Sequence, residues 1–419
     1  MSLLTRAIFA DAEIAACFDD ASVSAAMVRV EAALAEVQGR LGVIPEEAGA
    51  AIVVALAEAA PDPQALASGV ATSGVPVPAL VAQLRATVGP PHADWVHYGA
   101  TSQDIVDTAL MLCCRAAHTA LAARVTGLLD ALQALSEAHR DTVMLGRTRG
   151  QLATPITFGL KAAQWAQPLI ASEGAALRFS AQFGGASGSR SALGAQGGAV
   201  ARDLSEALAL SNAPPWHTDR RIMTDCAQWL TGVTTALAKL AGDAMILARG
   251  EVAELRIAGG GGSSTMPHKS NPVAAEAVLA AHQSALTHAQ GLQTVHAEER
   301  DGVAWPLEWL LLPQVFEATG AALSHAQRLV AAIQPNAAAM AQRIADIPAV
   351  MAEAAVFTLA PELGRQAAEA LVKEAIAAPE PLHAALASRA PQVDWGIALD
   401  PSRAAAPASE IAAEIFALR

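Results

Sequence analysis

The stretch DIVDTALMLCCRAAHTALAARVTGLLDALQALSEAHR, Asp104 to Arg140, has no proline and one glycine, and Leu121, Val125, Leu128, Leu132 and Leu135 recur along it at spacings of four and three. That is the period of one apolar stripe on an α-helix, which at 1.5 Å per residue would be roughly 50 Å long. Outward from it the same period returns. Val23, Met27, Val30, Leu34, Val37 and Leu41 form a stripe stopped by Gly42 and Pro45, and Leu230, Val233, Leu237, Leu240, Ala244 and Leu247 lie in a proline-free span from about Ile222 to Ile257. Alternating Val/Ile/Thr segments are scarce, so the expected class is all-α. Helices this long, with alanine at many intermediate positions, normally bury more than one face in an extended bundle, often through subunit association; a single-chain bundle is the alternative. Shifts in composition place boundaries near 103 and 345. The expectation is an N-terminal helical domain (1–103), a central long-helix bundle (104–345) and a C-terminal helical domain (346–419).

Of the 419 residues 53% are hydrophobic and 4% aromatic, and 27 Lys+Arg face 40 Asp+Glu for a net charge of −13. Such a field repels acidic ligands and does not recruit nucleic acid, so an anionic substrate has to be met by local positive charge. Mean hydropathy is +0.33, but alanine inflates it and no run of about 20 apolar residues is evident. The uncharged stretch Pro63–Leu84 is broken by Gly69, Gly74, Pro76 and Pro78. No membrane partner is expected. Arg6, Asp11 and Glu13 stand where a secretory signal would need an apolar core, which points to the cytoplasm. Cys17, Cys113, Cys114 and Cys226 form no CxxC pair and read as reduced, buried residues.

Three polar, glycine-bearing segments interrupt the helical pattern, each ahead of an expected helix: HYGATSQD (97–104), GRTRGQ (146–151) and GGGGSSTMPHKSNP (259–272). Helix N-terminal N–H groups joined by Thr, Ser, Gln and Asn side chains can cradle carboxylates, although Thr101, Ser102 and Asp104 also read simply as a helix cap. The third segment is expected to be a flexible flap over 258–272, because four glycines cost backbone entropy without offering packing. It is not a P-loop, since His268 and not glycine precedes Lys269. Lys269 and Asn271 suit a carboxylate, Pro272 suits the first turn of the next helix, and the loop serines suit proton transfer alpha to a carboxylate.

GSSTMPHKSNP (262–272) resembles the signature of the fumarase/aspartase superfamily, and HYGATSQDIVDT (97–108) and GRTRGQLATPITFGLK (146–161) are similar to its other two shared regions, in the same order. The PHKxNP ending and ATSQDxxDT narrow the resemblance to adenylosuccinate lyases and 3-carboxy-cis,cis-muconate cycloisomerases. GVPVPALV (74–81), FGGASG (183–188), PWHT (215–218) and WPLEW (305–309) are similar to the bacterial cycloisomerases. Arg149 and Leu152 depart from the pattern, standing where many lyase relatives carry histidines, and without an imidazole there, assisted departure of an amine is hard to arrange.

The resemblance implies lactonisation of 3-carboxy-cis,cis-muconate to 4-carboxymuconolactone in bacterial protocatechuate breakdown by the beta-ketoadipate route. The alternatives are an adenylosuccinate-type C–N lyase and a non-catalytic helical assembly protein. By the same carry-over Ser263 transfers the proton, and Lys269 and Asn271 bind the activated carboxylate. Thr101, Ser102 and Gln103 hold a second carboxylate, and Arg147, Thr148, Arg149, Gln151, Ser264, Met266 and His268 line the site, with His97 and Arg300 as further candidates. Glu298 and Glu299 read as a solvated helix end, and Trp305 and Trp309 as packing. No metal cluster or cofactor motif is visible. Homotetramers with sites shared between subunits are implied.

Overall fold

The computed structural model describes residues 2–419 except 176, 263–265, 267–268, 295, 297 and 299–300. Helix α1 (Asp20–Arg40) starts where the Asp19 carboxylate accepts the Ser22 N–H at 2.7 Å, and it stops before Gly42, whose φ of +67° suits a residue without Cβ. It packs on α2 (Glu46–Leu56) at a small-residue contact. A Cβ on Gly49 would lie 2.8 Å from the Ala35 carbonyl oxygen and 3.1 Å from the Gly39 Cα, so only paired glycines let these backbones come so close.

The quoted stretch forms α3 (Ser102–Ala138). A two-stranded hairpin follows, β1 (Val143–Thr148) antiparallel to β2 (Gln151–Thr157), and leads into α4 (Phe158–Glu173), where the Thr157 hydroxyl accepts the Leu160 N–H. After a shorter helix (Gly197–Ala207) come α5 (Arg221–Leu247), β3 (Leu255–Ile257), β4 (Gly261–Gly262), β5 (Ser270–Asn271), α6 (Val273–Gly291), α7 (Ala304–Ala332) and β6 (Ile333–Pro335). β3 pairs antiparallel with β6, and β4 with β5. The C-terminal part is helical, with α8 (Ala352–Leu363), α9 (Arg365–Ala377), α10 (Leu382–Arg389) and α11 (Pro407–Phe416). The class is all-α. Helix α3 starts at Ser102, and a further helix runs over Ala337–Asp346.

Helix α5 ends at Leu247, the last residue of its apolar stripe, and the rest of the proline-free span turns through Gly250 and through Ala253, held at φ +53°, to supply strand β3. By length and composition α3 and α5 are also long and apolar enough to cross a membrane, with windows of mean hydropathy 1.3. Scattered Thr, His, Gln and single charges hide this from a search for unbroken apolar runs. Of those windows 61% and 50% are already buried inside the protein.

The chain groups into two compact units. The first comprises Met1–Arg124, Ala175–Thr234 and Ala280–Ala322. Its buried side chains include Ile14, Leu34, Met111, Trp216 and Phe316, and Arg124 ties its N-terminal segment by ion pairs to Asp11 (2.5 Å) and Glu13. All four cysteines are in this unit as free thiols, three buried and Cys17 half-buried. Burial pushes Cys113 and Cys226 up to about 12 and Cys114 well above its ordinary range.

The second unit comprises Val125–Gly174, Thr235–Leu279 and Leu323–Arg419. Within it α4 begins against the end of α3 at Gly159, where a Cβ would stand 2.7 Å from the Ser136 carbonyl oxygen. Trp165 donates its indole N–H to Asp243 at 2.9 Å. Arg419 closes the C-terminus onto Asp130 (2.6 Å) and Glu173 (3.0 Å). Leu359, Val372, Leu382, Leu386 and Trp395 form a separate apolar cluster among the C-terminal helices.

Candidate active site

In the first unit, residues 97–104 enter α3 through a heavily bonded turn. The Asp104 carboxylate accepts N–H groups from Gly184 (2.7 Å), Gly185 (2.9 Å) and Thr101 (3.1 Å), with the Gln182 amide at 3.4 Å. Burial pushes its pKa up to about 6, and the donors that hold the charged form offset part of that rise. The Thr101 N–H to Asp104 bond is half of a capping box, so the helix-cap reading of this segment holds as far as Thr101 and Asp104 are concerned. Thr101 and Ser102 are half-buried. Gln103 is fully buried and donates to the His217 carbonyl at 3.2 Å. Gly99, at φ +71°, lies where a Cβ would meet Leu193 at 2.6 Å.

His97 has a φ of +67°, and its Nδ1 lies 2.6 Å from a carboxylate oxygen of Glu31 on α1. Burial works against the imidazolium, but the hydrogen bond and charge of Glu31, joined by Asp104, outweigh both it and the opposing charge of Arg85. His97 is therefore held above the ordinary histidine range. Neighbouring carbonyls are fixed too: Arg85 donates to Val96 O at 3.2 Å and Gln38 to Tyr98 O at 2.7 Å.

One turn further along α3, Asp107 accepts both Arg220 nitrogens (2.6 and 3.1 Å) and the Trp305 indole N–H (2.9 Å). Arg220 also pairs with Glu308, which lies 3.1 Å from His296 Nε2, and its guanidinium stacks 4.8 Å from the Trp216 ring centroid. Burial raises the Glu308 pKa despite Arg220. Trp305 thus packs as expected and also bonds. The network joins positions far apart in the chain and is not legible as a motif, although Asp107, three residues after Asp104 on a long apolar helix, is a signal.

The second and third segments belong to the second unit. Residues 146–151 do not open a helix, contrary to expectation. Thr148 pairs with Gln151 across a two-residue hairpin loop, Arg149–Gly150, with φ of +52° and +80°, the left-handed pair a type I′ turn requires. Thr148, Arg149 and Gln151 are exposed at that tip, whereas Arg147 turns inward to the fully buried Glu254 at 2.8 Å.

In the third segment the glycines do pack. A Cβ on Gly260 would stand 2.3 Å from Ser270 Oγ and 2.6 Å from Asn271 O, because Gly261 and Gly262 pair with Asn271 and Ser270. The loop's two ends are therefore joined by a short ladder, which corrects the reading that its glycines serve flexibility alone. Lys269 is exposed and donates its N–H to Met266 O at 2.9 Å; Met266 is exposed and Asn271 half-buried. Pro272 precedes the first residue of α6 instead of occupying it. Ser263, Ser264, His268, Glu299 and Arg300 lie outside the described residues.

The sequence pattern of the lyase family matches residues 10–285. The chain belongs to that family, within the fumarase/aspartase superfamily. One relative of this chain is a 3-carboxy-cis,cis-muconate cycloisomerase of Bradyrhizobium diazoefficiens, 37% identical over 390 residues, covering 90% of this chain and 86% of the relative. A nitrosuccinate lyase of Streptomyces davaonensis is 37% identical over 397 residues, covering 89% and 83%. The solved 3-carboxy-cis,cis-muconate lactonizing enzyme of Pseudomonas putida superposes with a TM-score of 0.89 at 32% identity, covering 100% of this chain and 99% of that one.

Proposed function

We propose that this lyase-family enzyme is a cycloisomerase that closes 3-carboxy-cis,cis-muconate to 4-carboxymuconolactone. The observation that carries the reading is likeness to cycloisomerases along nearly the whole chain, joined to Arg149 and Leu152 at the positions where many lyases keep histidines. One substrate carboxylate adds across a double bond conjugated to another. The second carboxylate takes up charge as an aci-carboxylate, and a proton reaches its alpha carbon. Such chemistry needs fixed cations and N–H donors where the charge grows, and one proton donor. Lys269 and Asn271 would meet the activated carboxylate, Thr101 and Ser102 a second one, Arg149 would offset the trianion, and Ser263 would move the proton. No imidazole is required for a leaving group, because none departs.

A second reading has a specific observation behind it. The nitrosuccinate lyase relative is as similar as the cycloisomerase, and a weakly basic leaving group also departs without a general acid. Parallel assays separate the two: loss of conjugated-diene absorbance with 3-carboxy-cis,cis-muconate, and turnover of nitrosuccinate. Activity on the second alone overturns the first. Ser263→Ala is expected to lower kcat by about a hundredfold or more with little change in KM; near-normal kcat would remove Ser263 from the proton path. The assembly proposed is a cytoplasmic homotetramer whose sites combine segments from different subunits.

A further inference from the structure

We infer that Glu31 is a positioning residue for substrate binding: it orients the His97 ring and holds it as a cation for one substrate carboxylate, a role that rests on the tricarboxylate reading above. Glu31 lies on the apolar face of α1, only 2% exposed, and its second carboxylate oxygen has no hydrogen-bond partner among the described residues. A buried carboxylate with so little compensation is costly unless its one partner is charged. That partner is His97 Nδ1, at 2.6 Å.

The ring is over-determined from both sides. Its backbone is left-handed, a conformation that persists in a side-chain-bearing residue only when the surroundings enforce it, and Arg85 and Gln38 clamp the carbonyls on either side. With Nδ1 given to Glu31, the proton on that nitrogen is fixed, and Nε2 becomes the functional edge. Nε2 has no hydrogen-bond partner among the described residues, and the side chain keeps 18% exposure. The charged groups acting on the ring are Glu31 and Asp104, which favour the imidazolium, and Arg85, which opposes it. In a chain of net charge −13, without the usual histidines of the second segment, a cation of this kind at the first segment answers the electrostatic need of a trianion.

The experiment follows the His97 ring by nitrogen-15 NMR, assigned by its loss in His97→Gln, together with steady-state kinetics. The substrate-free wild type should titrate above about 6.5 with Nδ1 protonated, and Glu31→Gln should move that titration down. Above about pH 7 Glu31→Gln should raise KM about tenfold and change kcat less than about threefold. Glu31→Asp should restore part of the loss, and adding Glu31→Gln to His97→Gln should cost nothing further. A wild-type ring that titrates below the ordinary range overturns the proposal even if every variant misfolds. An equal KM penalty in the His97→Gln background overturns it as well. A wild type inert toward the tricarboxylate sinks the substrate reading and the carboxylate contact with it, whereas a substrate-active enzyme with an unshifted ring sinks the role of Glu31 alone.

Discussion

Arg149 is held left-handed at an exposed hairpin tip where glycine would be relaxed. If the side chain earns its place by meeting substrate, Arg149→Gly should stabilise the fold by about 1 kcal/mol of relieved strain, seen as a higher melting temperature, while raising KM about tenfold. A variant that is more stable with unchanged KM would take Arg149 out of the site. Asp104 gives a pH prediction. Its pKa rises from an ordinary 3.8 to about 6 on folding, so the folded state binds the proton more tightly. Its contribution to stability is full below about 4 and is lost as pH rises through about 6. Asp104→Asn should destabilise by about 1–3 kcal/mol at neutral pH, because an amide NH2 must face backbone donors, and the wild type's advantage should grow between about pH 7 and 4. Denaturant midpoints of the two proteins across that range check both points. The motif residues were legible because their spacing is local. Glu31 is not legible in that way, since its partner is 66 positions away. The available signal was a carboxylate and an amide, Glu31 and Gln38, sharing the Met27–Leu34 face of an apolar stripe.

Among the elements, α1 and α3 fall within a few residues of where the apolar period puts them, because a long stripe with a glycine or capping residue at its end specifies both register and stop. The hairpin Val143–Thr157 carries no such signal. One strand's burial does not alternate, and its turn is Arg-Gly, not the Asn-Gly that announces such loops. Strand β3 is hidden for a similar reason, since it is defined by a partner near 334. The α1–α2 contact offers a test of close packing against propensity. Alanine is the better helix former by about 1 kcal/mol, yet Gly49→Ala should destabilise by about 1–3 kcal/mol because its Cβ meets backbone on α1. As α1 also carries Glu31, KM should rise with it; an alanine variant at least as stable as wild type would show that the helices can part without cost.

For the whole molecule, the first motif segment belongs to one compact unit and the other two to the second. If active sites combine segments from different subunits, inactive Ser263→Ala and inactive Thr148→Ala/Gln151→Ala proteins, denatured and refolded together, should regain measurable activity, because some sites then receive only intact segments. Verified mixed oligomers without recovery would favour a site contained in one chain. The placement of the thiols has a separate practical use. Every sulfhydryl belongs to one of the two units, and burial keeps three of them protonated and out of reach. A disulfide reagent such as dithionitrobenzoate should therefore modify Cys17 first and reach the other three only when that unit opens. Its slow phase becomes a built-in clock for the opening of that half of the chain, silent toward the half that carries the hairpin and the C-terminal helices.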